Sequence, residues 1–163
     1  VVAEKIGIAE GEPLEEMGEE NGVPYGIGKI GRLIKPVNGM ELAVQIKEAF
    51  GLPFVTVYGR ELYETIPLEG EATCPGAGGS EIGEALRKGA QVLITGDISH
   101  HQGIDAASQG MMILAAGHYG LAHVFMAYME AFCNGHFMGR LTVCKVPVDF
   151  PGAVFCCDAW RGI

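Results

Sequence analysis

The chain has 163 residues, 48% of them hydrophobic and 19% charged, with a net charge of −9 from 20 acidic against 11 basic residues. That length allows one domain with a proper core. The acidic balance, without any cluster of Lys and Arg, argues against nucleic-acid backbones and anionic membranes as main partners.

No apolar run approaches the roughly 20 residues that span a bilayer. The opening VVAEKIGIAEGEPLEE has no basic segment leading into an apolar one, so it does not read as a signal peptide. It has no initiator Met, which reads as the middle of a longer gene product or a trimmed piece of one. Cys74, Cys133, Cys144, Cys156 and Cys157 are odd in number and form no CxxC pair. They read as packing thiols of a cytoplasmic protein, with a metal role for Cys156–Cys157 as the weaker reading. The 25 glycines follow no period and mark turns.

In chain order, residues 1–8 read as the end of a helix and Glu10–Gly22, acidic and Gly-rich, as a loop. Tyr25–Val37 has spaced β-formers broken by glycines and reads as a strand or hairpin. Gly39–Gly51 reads as an amphipathic helix, with Leu42, Ile46, Ala49 and Phe50 on one face. Phe54–Tyr58 and part of Glu61–Cys74 are strand candidates. A Gly-rich turn at Pro75–Gly79 leads to a helix over Ser80–Lys88. Gln91–Thr95 and Met111–Ala115 are near-continuous apolar runs, as expected of strands covered on both faces. Helices are expected over His101–Gln109 and Gly120–Phe132, the second with an apolar stripe of Leu121, Phe125, Met129 and Phe132. Leu141–Val148 completes the set as a last strand. This alternation predicts an α/β layered domain over residues 1–150, a mixed sheet flanked by helices, with 151–163 as a tail. In such sheets polar sites gather at the carboxyl ends of strands.

Four motifs follow. Gly26-Ile27-Gly28-Lys29-Ile30-Gly31 matches GxGxxG by letter, but strand-like residues run through it and Pro36 follows, so it reads as a glycine-rich strand rather than a dinucleotide fingerprint. Cys74-Pro75-Gly76-Ala77-Gly78-Gly79-Ser80 joins a strand to a helix. Gly78, Gly79 and Ser80 there are candidate ligand-binding positions through free backbone N–H groups, with Ser80 as a plain helix cap the alternative. In Thr95-Gly96-Asp97-Ile98-Ser99-His100-His101, running on to Asp105, a buried strand delivers Asp97, and His101 and Asp105 lie four apart on one helical face. Asp97 and His101 are the candidate catalytic pair for acid/base work or support of a metal ligand, against a reading of Asp97 as a helix cap. In Ala116-Gly117-His118-Tyr119-Gly120-Leu121-Ala122-His123, His118 stands where a helix starts. A metal-binding helix carries its second ligand at i+4, which here is Ala122.

Together these stretches, with Lys145–Gly152 as a closing strand, resemble the Nif-three-like family, whose members are labelled GTP cyclohydrolase 1 type 2 homologs. The resemblance covers nearly the whole chain. It implies one half of a protein with two related αβ-layered halves, a dinuclear metal site (zinc, iron or manganese) between them, and ring-shaped homohexamers. It further implies a small-molecule or nucleotide substrate attacked by metal-activated water. The amino-terminal half of the family supplies a His-His pair and an Asp. The carboxy-terminal half, to which this chain corresponds, supplies a His and a Glu in a GHxxxE pattern. By that match His118 is the metal ligand, Ala122 stands in place of the Glu, and Asp97, His101 and Asp105 line the pocket. The implied site in this chain alone is incomplete, with weak or absent metal and no turnover expected.

Overall fold

Strand β7 (Val92–Asp97) and strand β8 (Met112–Ala115) lie at the centre of the molecule, and their apolar residues are divided between two cores. In the computed structural model, which describes residues 1–146, Val92, Ile94, Met112 and Leu114 face one layer while Leu93 and Ile113 face the other. All six are fully buried, and each such side chain contributes about 1.5–3 kcal/mol relative to exposure.

The first layer holds helix α1 (Val2–Ile6), helix α2 (Gly39–Ala49) and helix α5 (His118–Ala122), through Ile6, Leu42, Ile46 and Leu121. The second holds helix α3 (Ile82–Arg87) and helix α4 (His100–Ser108), through Ile82, Ala85 and Ala106. The sheet has six strands in the order β1-β4-β6-β7-β8-β5. Here β1 is Ile8–Glu12, β4 Lys29–Leu33, β5 Thr56–Tyr58 and β6 Glu71–Ala77. Strands β6, β7 and β8 run parallel, and β1, β4 and β5 join antiparallel, so the sheet is mixed and flanked by helices as the alternation predicts. Helix α2 begins with a capping box. Asn38 Oδ1 accepts from the Met40 and Glu41 amides at 3.0 and 2.9 Å, and Glu41 Oε2 accepts from the Asn38 amide at 3.0 Å.

Several expectations are corrected. Glu10–Gly22 is not a loop. It contributes the end of β1 and strand β2 (Glu15–Glu20), which pairs with β3 (Val23–Ile27) as a separate two-stranded ribbon. Asn21 and Gly22, with φ of 53° and 81°, form a turn whose twist suits a hairpin, and the ribbon is exposed enough to tolerate four glutamates in β2. Strand β6 runs on past Pro75 to Ala77, with a register shift against β7 between Cys74 and Ala77 that accommodates the proline. The helix expected over Gly120–Phe132 is two helices, α5 and α6 (Val124–Phe137). Its stripe is split: Leu121 is buried, whereas Phe125 and Phe132 are exposed. Leu141–Val146 form no strand, and the rest of that segment and the tail lie outside the described residues. The glycines of 26–31 lie in and between β3 and β4, so the run leads directly into a strand and does not open a helix. Among the described residues no helix is long and apolar enough to cross a membrane.

Two predictions follow from this packing. Burial raises the phenol pKa of partly buried Tyr63 above its ordinary value, an effect partly offset by a hydrogen bond with Gln91. Its hydroxyl donates to the Gly110 carbonyl at 2.9 Å. With the folded-state pKa raised, the unfolded chain loses this proton first, so stability is intact below about pH 10 and falls as pH rises through the folded value. Tyr63→Phe should remove that alkaline loss and cost about 1 kcal/mol at neutral pH; urea unfolding at pH 8 and pH 11 compares the two chains, and an equal alkaline loss in both would refute the assignment.

At Gly96 a Cβ would stand 2.5 Å from the Gly76 carbonyl oxygen and 2.8 Å from the His118 Cα, both backbone atoms that cannot swing away. Gly96→Ala should therefore cost about 1–3 kcal/mol, whereas Gly83→Ala, in α3 with nothing within 4 Å, should be neutral or stabilising. Equal denaturation midpoints for the two variants would count against the close approach.

Candidate functional site

The parallel strands β6, β7 and β8 all end at one edge, and the polar groups collect there. Asp97 is the last residue of β7, paired with Ala77 at the end of β6. Beyond β8 the backbone stays bonded to β7. Ala116 N–H donates to the Thr95 carbonyl at 2.8 Å and Gly117 N–H to the Gly96 carbonyl at 2.9 Å. Gly117 then turns the chain with φ of 76°, and His118 opens α5 directly beside Asp97.

The two side chains meet in a specific way. Asp97 Oδ1 accepts the backbone N–H of His118 at 3.2 Å, and Asp97 Oδ2 lies 3.4 Å from His118 Nδ1. The side chains are 61% and 62% exposed, so water and solutes reach both. Asp97 does not cap α4. That role belongs to Ser99, whose Oγ accepts the Gln102 amide at 3.3 Å while Gln102 Oε1 accepts the Ser99 amide at 3.1 Å. Asp97 is thereby left free to serve the first turn of a different helix, α5.

The glycine turn lies against the same edge. Gly78 is buried, and its N–H donates to Thr95 Oγ1 at 3.0 Å, while that hydroxyl donates to the Gly76 carbonyl at 3.3 Å. Ser80 does not cap α3; its Oγ donates to the carboxylate of its buried neighbour Glu81 at 2.9 Å. Gly79 and Ser80 join Asp97, Ile98, Ser99 and Gln102 around a shallow depression of about 300 Å³. A Cβ at Gly79 would press on the end of the Gln102 side chain, which would have to shift to admit it. Asp97 brings a carboxylate to this depression, which makes it better suited to a cation than to an anion.

Of the residues singled out in the sequence, Asp97 and His118 are brought together, and Gly79 and Ser80 border the depression beside Asp97. His101 is not part of this group. It is exposed on the solvent face of α4, as is Asp105, and its ring stands 6.0 Å from that of His100, itself 6.1 Å from Tyr58. Ala122 lies one helical turn beyond His118 and offers no donor atom. Among the described residues no group of three His, Cys, Asp or Glu side chains is close enough to hold a metal ion. Thr95, Gly96 and Gln102 shape the edge without having been singled out. The TGD tripeptide was a signal for the first two, since a polar residue and a glycine interrupt an otherwise apolar strand.

Comparison with known proteins agrees with this architecture. Residues 1–149 match the family Duf34/NIF3 (NGG1p interacting factor 3). A GTP cyclohydrolase 1 type 2 homolog of Streptococcus pneumoniae is 42% identical over 115 residues, which cover 70% of this chain and 42% of that protein. A protein with the same label from Pyrococcus abyssi is 38% identical over 108 residues, covering 66% of this chain and 41% of its own length. Among solved structures, protein ybgI, described as of unknown function, superposes with a TM-score of 0.76 at 27% identity over 93% of this chain and 55% of its own. The chain thus spans under half the length of these two curated relatives. The match over residues 1–149 makes this chain a member of the Duf34/NIF3 family.

Proposed function

We propose that the Asp97–His118 pair is this chain's contribution to a divalent-metal centre of hydrolase type, one that is incomplete within the chain itself. The observation that carries this reading is the placement of an imidazole and a carboxylate 3.4 Å apart, both open to solvent, at the carboxyl edge of a parallel sheet. The label of the relatives, GTP cyclohydrolase 1 type 2 homolog, suggests the substrate class of a purine nucleotide or another small molecule with an electrophilic carbon. A divalent ion in such a site supplies Lewis-acid activation of water.

Two protein donors suit one loosely held ion and do not suit a tight pair, since each ion takes several ligands. Residue 122 would present a carboxylate on the same helical face as His118, but alanine has none to present. The remaining donors must come from elsewhere, either from the length of the family that this chain does not span or from other copies in a homo-oligomer, a hexamer by the resemblance. The second reading, a non-catalytic subunit that keeps the fold and the assembly surface, draws on the same alanine.

The test is metal analysis for zinc, iron and manganese, with zinc titration and an assay of GTP ring opening, on the chain and on Ala122→Glu and His118→Ala. The chain should carry well under one equivalent of metal and show no turnover. Ala122→Glu should tighten zinc binding about tenfold or more, and adding His118→Ala to it should cancel the gain. Two tightly held ions in the unaltered chain, or zinc binding indifferent to His118→Ala, would overturn the proposal.

A further inference from the structure

Helix α6 is apolar over most of its surface, yet it contains no buried residue. Glu130 is its only carboxylate, it has no Lys or Arg, and Glu130 pairs with Lys145 at 2.6 Å. A helix that is apolar all round is ordinarily a covered one. Its faces differ in how far the chain covers them. Met126, Met129, Glu130 and Cys133 are half-buried, whereas Tyr128, Phe132 and His136, and beside them Ala127, Ala131 and Gly135, are exposed.

Residues four apart on a helix line up as ridges, with grooves between them. Tyr128, Phe132 and His136 make one ridge of rings. Phe132 and His136 stack with their centroids 4.0 Å apart, and His136 Nδ1 meets the Phe132 carbonyl at 2.9 Å. Ala127, Ala131 and Gly135 make a row of small residues alongside. Glycine is a poor helix former, and the helical backbone at 135 does not demand it. No described atom beyond the helix's own turn lies within 4 Å of where a Gly135 Cβ would stand, so the space it leaves is not used by the chain itself.

The large apolar side chains exposed over residues 125–141 offer about 600 Å² of surface, counting a fully exposed aromatic side chain as about 200 Å². That is at the upper end for a lone chain and close to the roughly 800 Å² each partner gives to a stable interface. Shape and charge indicate the occupant. One ridge beside one groove is self-complementary, because a twofold axis brings each copy's ridge into the other's groove. The chain carries a net charge of −9, which opposes self-association over most of its surface. Ridge and groove carry no carboxylate, so two copies meet there without that repulsion.

We propose that α6 is a contact between two copies of this chain. They pair across a twofold axis near Ala131, with the Tyr128–Phe132–His136 ridge of each copy seated in the Ala127–Ala131–Gly135 groove of the other. The proposed metal centre plays no part in this pairing.

Sedimentation velocity of the 163-residue chain, up to about 100 μM, should show a dimer, or an assembly built of dimers, in exchange with monomer. Ala131→Glu sets two carboxylates against each other at the axis and should raise the dissociation constant about tenfold or more, with unchanged circular dichroism. An equimolar mixture of Ala131→Glu and Ala131→Lys chains should regain the association, which a partner of other chemistry would not produce. Gly135→Ala separates pairing from folding: it should stabilise the dilute monomer while weakening the dimer by filling the groove. A chain that stays monomeric to the highest concentration, with or without binding to phosphatidylcholine vesicles, would overturn the pairing. So would a dimer indifferent to Ala131→Glu. Neither result bears on the metal centre, whose test is metal content.

Discussion

The carboxyl edge of this sheet depends on how closely the start of α5 can approach the end of β7. The approach is set by backbone: the amides of Ala116 and Gly117 bond back to the carbonyls of Thr95 and Gly96, and Gly96 leaves the space where a side chain would meet the His118 Cα. Without that contact His118 would not reach Asp97, and the Asp97 carboxylate would lose the amide it accepts. The same edge receives the glycine turn after β6, because Thr95 Oγ1 holds the Gly78 amide on one side and the Gly76 carbonyl on the other. One short segment, Thr95–Asp97, thus ties together the ends of three parallel strands.

The core that supports this edge is ordinary in its physics. Val92, Ile94, Met112 and Leu114 pack against one helical layer, and Leu93 and Ile113 against the other, so the central strands cannot slip register without moving every side chain to the wrong face. The two βαβ crossovers through α3 and α4 place both helices in one layer, with Ala85 and Ala106 fully buried there. Small residues at those positions let the helices lie close to the sheet.

Much of this was legible in the sequence where local chemistry and tertiary packing agree. The central strands declare themselves by lacking polar alternation, and α2 by the apolar spacing of Leu42, Ile46, Ala49 and Phe50. The β2–β3 ribbon was hidden by its glutamates, although Asn21-Gly22 carried the turn signal; a ribbon with neither face buried has no hydrophobic pattern to read. The stripe of Leu121, Phe125, Met129 and Phe132 was read from its apolar spacing, yet it divides between two helices: Leu121 of α5 is buried, whereas Phe125 and Phe132 of α6 are exposed. Periodicity reports which face is apolar and not what covers it. The Asp97–His118 pair was out of reach for a different reason. The residues lie 21 positions apart, and their meeting depends on the register of parallel strands, which no local pattern encodes. His101 and Asp105 share a face of α4, as their spacing requires, but it is the solvent face.

The energetics of the edge argue that it serves a purpose other than stability. An imidazole and a carboxylate more than half exposed interact weakly, by about 0–1 kcal/mol at most once solvent screening is counted. Beside it stand glycines at 96 and 117, required by the close approach to the His118 Cα and by the positive φ of 117, and each adds backbone entropy to the unfolded chain. An apolar residue in place of Asp97 would cap the strand end as well for packing purposes and would leave the His118 amide to water. A local arrangement that gains little stability while fixing two polar groups in the open suits a binding site better than a purely structural strand end. The edge formed by β6, β7 and α5 is where the fold holds two polar groups open to solvent, and it is there that the proposed site sits.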